Sequence, residues 1–257
     1  MKITLVPSAL HCAETRFQFA SSYIIDGVVA IDAGTLGFFR TPEEQARIKH
    51  VFITHSHMDH VASLPIWLEN VYEAQGEPVT IHASRPVLES LDVDIFNDRV
   101  WPDLLSLTNG GSPFYQFDEL QPCVPVQIGG LRITPVPVHH VVPTMGYLIE
   151  QPGVAAAVIA SDTGPTDELW RRAATLPDLK AVFLEATFPD CMAEIANASK
   201  HLTPALFAAE VRKLDRDVAW IALHIKPRSF DQVVAELEQL NIPRLEIAKF
   251  GHEYCFE

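Results

Sequence analysis

HVFITHSHMDHVASLP, residues 50–65, decides how the rest of the chain is read. Between His50 and His55 stand Val51, Phe52, Ile53 and Thr54, the apolar and β-branched composition of a buried strand. The run HSHMDH then begins where that strand should end. Strand ends and the loops after them are where a rigid scaffold presents chemistry. Histidines two apart in extended chain point to one side, so His55 and His57 can grip a single ion. Asp59 and His60 follow on turning chain, where they can reach a second ion. Imidazole suits zinc or iron, and a carboxylate adds charge neutralisation.

The surroundings fit a globular protein. The chain has 257 residues with 48% hydrophobic content, ample for a buried core. No stretch approaches the roughly 20 apolar residues of a membrane span. The N-terminal MKITLVPSAL is too short for a signal peptide and is broken by Pro7. Cys12, Cys123, Cys191 and Cys255 are scattered, which points to a reducing, cytoplasmic setting. A net charge of −14 repels a long polyanion, whereas a small anion could still bind where metal ions reverse the local sign.

Apolar, β-rich runs recur at 2–8, 21–26, 28–32, 50–55, 79–84, 131–138, 145–150, 154–162, 181–187, 219–224 and 245–250. Helix signals lie between them. Thr41-Pro42-Glu43-Glu44 predicts a capped helix to about Lys49. Others are expected over 63–75, 166–176, 203–214 and 229–240. Paired strands followed by alternating strands and helices predict an α/β (α+β) fold, with two sheets sandwiched between helices. Residues 85–120 break the rhythm, helical and then loop-like. With no repeat or linker, 1–257 reads as one domain.

H-x-H-x-D-H resembles the signature of the metallo-β-lactamase superfamily, whose fold is an αββα sandwich. Further segments occur in its order: VVAIDAG, VHHVVPTMGY, IASDTGP, FLEATF, SKHLTP and IALHIKPR. Together they cover about Ser21 to Arg228. The phosphodiesterase branch looks most similar. The tRNA 3′-processing endonucleases (tRNase Z) share H-x-x-P-x-x-G-Y and E-A-T-F. The class II 3′,5′-cyclic-nucleotide phosphodiesterases look closer still, through SSYIID…AIDAG, HVFITHSHMDHVASLP and SKHLTP.

The resemblance implies two divalent ions, zinc first, with manganese or iron as alternatives. His55, His57 and His140 would hold one ion, and Asp59, His60 and His224 the other, with Asp162 bridging. Asp32 would support the ligand loop from beneath. His140 is preferred to His139 because it stands seven positions before Tyr147 of G-Y. Two such ions lower the pKa of a shared water from about 15.7 toward 7. His201, oriented by Glu185, would stabilise phosphate and protonate the leaving oxygen. Asp59, His201 and Glu185 are thus the catalytic candidates.

The implied reaction converts cAMP, and by extension cGMP, to the 5′-monophosphate. The expected partner is this small substrate, with no long nucleic acid and no membrane. The branch also suggests a homodimer, which no residue specifies. A tRNA endonuclease is the main alternative, but only 21 residues separate His140 from Asp162, leaving no room for a tRNA-binding arm. Another small-ester hydrolase of the same fold, or an inactive metal binder, are the remaining readings.

Ordinary roles are expected elsewhere. Lys200 and Thr203 read as a solvated lysine and a helix cap before they read as phosphate contacts. Thr163-Gly164 reads as a tight turn. His11, His50, His82 and His252 lack ligand spacing. Phe96, Trp101, Phe114 and Tyr115 fit core or interface packing better than base stacking.

Overall fold

The protein is described by a computed structural model covering residues 1–8, 16–73, 75–107 and 111–257. His11 and Cys12 lie outside those residues.

The chain order explains the architecture. In the first half come β1 (Lys2–Leu5), β2 (Tyr23–Ile25), β3 (Val29–Ile31), β4 (His50–Phe52), β5 (Val79–Ala83) and β6 (Tyr115–Glu119). The second half adds β7 (Val126–Ile128), β8 (Leu131–Val138), β9 (Thr144–Gln151), β10 (Ala155–Ile159), β11 (Leu179–Glu185), β12 (Ala219–Leu223), β13 (Leu245–Ile247) and β14 (Glu253–Cys255). Two seven-stranded sheets result, ordered β14-β1-β2-β3-β4-β5-β6 and β13-β12-β11-β10-β9-β8-β7.

Each sheet is antiparallel on one side and parallel on the other. Tight turns join β2 to β3 and β9 to β10, both antiparallel pairs. Parallel neighbours need crossovers, and those crossovers carry the helices. α1 (Pro42–Gln45) connects β3 to β4; α2 (Met58–Val61) and α3 (Leu64–Val71) connect β4 to β5; α4 (Arg85–Ser90) leads toward β6. In the second sheet α5 (Glu168–Ala173), the pair α6 (Ala193–Ser199) and α7 (Pro204–Val211), and α8 (Phe230–Gln239) do the same work.

Alternation along the strands sorts the core into three layers. Val29 and Ile31 face inward while Ala30 faces out; Ile221 faces inward while Trp220 and Ala222 face out. The inner layer joins Tyr23, Ile25 and Phe52 to Tyr147, Phe183 and Ile221 across the two sheets. Trp67 and Leu68 of α3 cover one outer face. Trp170, Phe207 and Leu237 of α5, α7 and α8 cover the other. This is the expected αββα sandwich. Among the described residues no helix is long and apolar enough to cross a membrane.

The local expectations fared unevenly. Thr41 does form a capping box with Glu44, yet α1 ends at Gln45, well short of Lys49, because the chain must turn to enter β4. The 63–75 helix stops at Val71, where Tyr72 turns extended. α5 starts after Asp167, not Thr166. The 85–120 segment runs from α4 through one π-turn at Leu91–Ile95 to an unforeseen strand, β6. Phe96 and Tyr115 are buried there, and Phe114 stacks on Tyr72 with ring centroids 3.8 Å apart. Packing therefore accounts for these aromatics.

Candidate metal centre

The carboxyl ends of the strands converge on one edge of the sandwich. Asp32 follows β3, His55 follows β4, His140 follows β8, Asp162 follows β10, Glu185 ends β11 and His224 follows β12. Loops at the carboxyl ends of parallel strands are the usual ligand position in α/β sheets. Several of these residues take the left-handed conformation that side chains avoid: Asp32 (φ 59°), Ser161 (61°), Lys200 (58°) and His224 (58°). Each costs on the order of 1 kcal/mol or more, and this edge carries four of the ten left-handed non-glycine residues among those described. Gly34 of VVAIDAG is also dictated here, since a Cβ would meet the Asp59 carbonyl at 2.1 Å.

Beneath the HSHMDH loop lies a buried hydrogen-bonded base. Asp32 accepts the Thr54 backbone N–H at 2.8 Å and the His60 Nδ1–H at 2.6 Å. The Thr54 hydroxyl donates to Asp32 and accepts the His55 Nδ1–H at 3.0 Å. Both rings are held by Nδ1, with Nε2 turned toward His57 in the case of His55 and toward Asp162 in the case of His60. His60 Nε2 is buried with no hydrogen-bond partner. An orphan of this kind costs about 1–3 kcal/mol unless something binds it.

Seven donors fall into two groups, and Asp162, His201 and His224 form a third that overlaps them. In the first, His55 Nε2 lies 3.1 Å from His57 Nδ1, which lies 3.3 Å from His140 Nε2. Four zinc ligands at about 2.0–2.1 Å in a tetrahedron stand roughly 3.3 Å apart, so these spacings suit one ion. Burial pushes the pKa of His55 well below its usual value and lowers those of His57 and His140. Neutral rings keep the lone pairs that metal binding needs. The second group is Asp59, His60 and His224, with His224 Nε2 at 3.3 Å from Asp59 Oδ2. Asp162 Oδ2 stands between the groups, 3.7 Å from His55, 3.5 Å from His60 and 3.6 Å from His224. His224, then His60, hold its carboxyl well below the usual range against the effect of burial. The donor chemistry, the spacing and the orphaned nitrogen all fit divalent cations.

A second hydrogen-bonded base mirrors the first. Glu185 accepts from the backbone N–H groups of Thr163 at 2.9 Å and Leu202 at 3.0 Å, and from His201 Nδ1 at 2.7 Å. The Thr187 hydroxyl donates to Glu185 and accepts the His224 Nδ1–H at 3.0 Å. Burial disfavours charge on His201, but its bond to Glu185 outweighs that and raises its pKa. The His201 ring stacks on His224 at 5.6 Å and sits 5.0 Å from His140.

The structure thus gathers His55, His57, Asp59, His60, His140, Asp162 and His224, with His201 and Glu185 beside them. His139 is exposed and joins no group, although its backbone N–H bonds Thr163. Lys200 participates through its carbonyl, which accepts the His140 Nδ1–H at 3.2 Å. Thr203 caps α7. His50 and His82 lie elsewhere in the first sheet, chained to Asp118. Sequence reasoning overlooked Thr54, Thr187 and Lys226. For the threonines the only signal was adjacency to the histidine and E-A-T segments.

Comparison with known proteins bears on the family and the fold. A probable 3′,5′-cyclic-nucleotide phosphodiesterase of Yersinia pestis is 27% identical over 224 residues, covering 76% of this chain and 63% of the relative. A ribonuclease Z of Kineococcus radiotolerans is 31% identical over 133 residues, 49% of this chain and 40% of the relative. The chain therefore spans less than two thirds of the curated relatives it matches. The crystal structure of unliganded yeast PDE1 superposes with a TM-score of 0.79 at 18% identity, covering 98% of both chains. Residues 24–225 match the family described as "Beta-lactamase superfamily domain", and with the two-sheet sandwich this places the chain in the metallo-β-lactamase superfamily.

Proposed function

We propose that the protein is a metal-dependent phosphodiesterase that opens 3′,5′-cyclic nucleotides, cAMP and also cGMP, to 5′-monophosphates. The carrying observation is the Glu185–His201 pair set against a seven-donor cluster split around Asp162. In this reading 1–257 acts as one hydrolase domain. His55, His57 and His140 would hold one divalent ion and Asp59, His60 and His224 the other, with Asp162 available to both. When bound, the two ions supply an activated water and neutralise charge gathering on phosphorus.

The protein's own groups do the rest. The buried Asp32–Thr54 and Glu185–Thr187 bases fix ring tautomers, so the nitrogens that face the cluster are pre-aimed. His201 keeps its Nδ1 proton on Glu185, which turns Nε2–H toward the O3′ that leaves as the P–O3′ bond breaks. Donating that proton yields the 3′-hydroxyl. The relatives' printed activities support phosphodiester chemistry. A ribonuclease Z reading draws on the second relative, but here His140 connects to Asp162 through the β9–β10 hairpin alone.

The test is elemental analysis with a substrate panel of cAMP, cGMP, 2′,3′-cyclic nucleotides, a tRNA precursor and a lactone. About two ions per chain and preferential turnover of cAMP are expected. Absence of bound metal, with no hydrolysis after zinc, manganese or iron is added, would end the proposal.

Thr187→Val should weaken retention of the ion near His224 about 10- to 100-fold, read by chelator competition, because the Nδ1 proton loses its acceptor. Thr187→Ser should restore retention. Equal retention in the valine variant would deny Thr187 this role.

A further inference from the structure

The donor cluster has one cationic neighbour that the proposed reaction leaves unassigned. Lys226, in IALHIKPR, places its Nζ 3.9 Å from Asp59 Oδ2. Among the described residues no other lysine or arginine nitrogen comes within 4.0 Å of a carboxylate of the cluster. Its position is built rather than incidental. The left-handed turn at His224 redirects the chain after β12, and Ile225 buries itself in the outer core. Lys226 is thereby left on the cluster side. Its backbone N–H donates to the Thr187 carbonyl at 3.2 Å, and its own carbonyl accepts from Ser229 at 2.9 Å. The stem is thus pinned at its base.

The ammonium itself is underemployed. At 3.9 Å it is too far from Asp59 for a hydrogen bond, and no described residue accepts one from it. The Lys226 side chain is 42% exposed and that of Asp59 31%. An ion pair so loose and so wet contributes little to stability. A cation in Asp59's keeping would weaken the pull of that carboxylate on Lys226 and free the ammonium for an anion at the same mouth.

We propose that Lys226 is a substrate-gripping residue whose ammonium bonds a non-bridging oxygen of the phosphodiester seated over the His/Asp cluster. The role rests on the phosphodiesterase reading above. It selects anionic esters over neutral ones, because lysine offers a compact charge with three donors to a phosphate oxygen. In a chain of net charge −14, such a fixed cation at the entrance matters more than it would on a basic surface.

The experiment compares zinc-loaded wild type with Lys226→Met and Lys226→Arg. Inorganic phosphate binding is measured by calorimetry, and KM and kcat with bis(p-nitrophenyl) phosphate. Lys226→Met should keep its metal content but bind phosphate about tenfold more weakly, with KM rising in parallel, the scale of one charge-assisted hydrogen bond. Lys226→Arg should stay within a few-fold of wild type. Unchanged phosphate affinity in Lys226→Met, or a loss explained by lost metal, would overturn the assignment. A wild type that binds phosphate but hydrolyses no phosphodiester would sink the proposed reaction, while the calorimetric comparison would still decide Lys226.

Discussion

Replacing Asp162 with alanine is expected to abolish turnover, by on the order of 10³-fold or more. Lewis-acid stabilisation by bound ions is worth several kcal/mol, and each tenfold in rate is about 1.4 kcal/mol. The carboxylate is buried, and one of its oxygens lies 3.5–3.7 Å from three imidazole nitrogens drawn from both donor groups. Its removal withdraws the only negative charge that the described residues place between the two groups and opens a polar cavity among His55, His60 and His224. Those rings would then crowd positive ions together with no shared anion to offset their repulsion. The bound metal should therefore drop from about two ions toward one, as read by elemental analysis. Asp162→Asn, which keeps the volume and loses the charge, should behave nearly as badly, separating electrostatics from packing. Two retained ions with wild-type turnover of bis(p-nitrophenyl) phosphate in either variant would refute the shared-ligand role.

How much of this was written in the chain follows from the range of the forces involved. Strand runs such as VVAI (28–31) and VAAAVIA (154–160) are continuously apolar because their sheets are covered on both faces, and that pattern is local. The ligand types were equally local: a histidine and aspartate cluster at a strand end has few other uses. β6, β7 and β14 were not legible. YQFDE, VQI and EYC are short, partly exposed and lie at or near sheet edges, so their pairing comes from neighbours distant in sequence. The turn that carries Asp59 and His60 proved to be a four-residue helix, α2, too brief for any periodicity.

The wiring of the site was hidden for a different reason. Thr54 and Thr187 act because a hydroxyl can donate to one carboxylate and accept from one imidazole at once. Which partners it finds depends on where β3, β11 and β12 deliver Asp32, Glu185 and His224. No spacing rule encodes that. Lys226 is similar: a lysine two residues past a histidine says nothing until the left-handed turn at His224 aims it. Gly34 was visible as a residue but not as a necessity, since the backbone it admits belongs to Asp59.

His201→Ala should retain its metal yet lose roughly 10²-fold or more in kcat, the usual scale for a proton-transferring group. Glu185 is held by four hydrogen bonds that leave it no freedom to move. It holds the imidazole by Nδ1, so the ring can act only through Nε2, beside His140 and His224. A proton donor matters most when the departing oxygen is a poor leaving group. The alanine variant should therefore lose more on cAMP, whose ribose oxygen needs a proton, than on bis(p-nitrophenyl) phosphate, whose phenolate leaves unaided. Glu185→Gln should reproduce much of that substrate-dependent loss, and the double variant should be little worse than either single one, since the two residues work as a unit. A merely structural His201 would slow both substrates equally, and full activity on cAMP in His201→Ala would remove the residue from the reaction altogether.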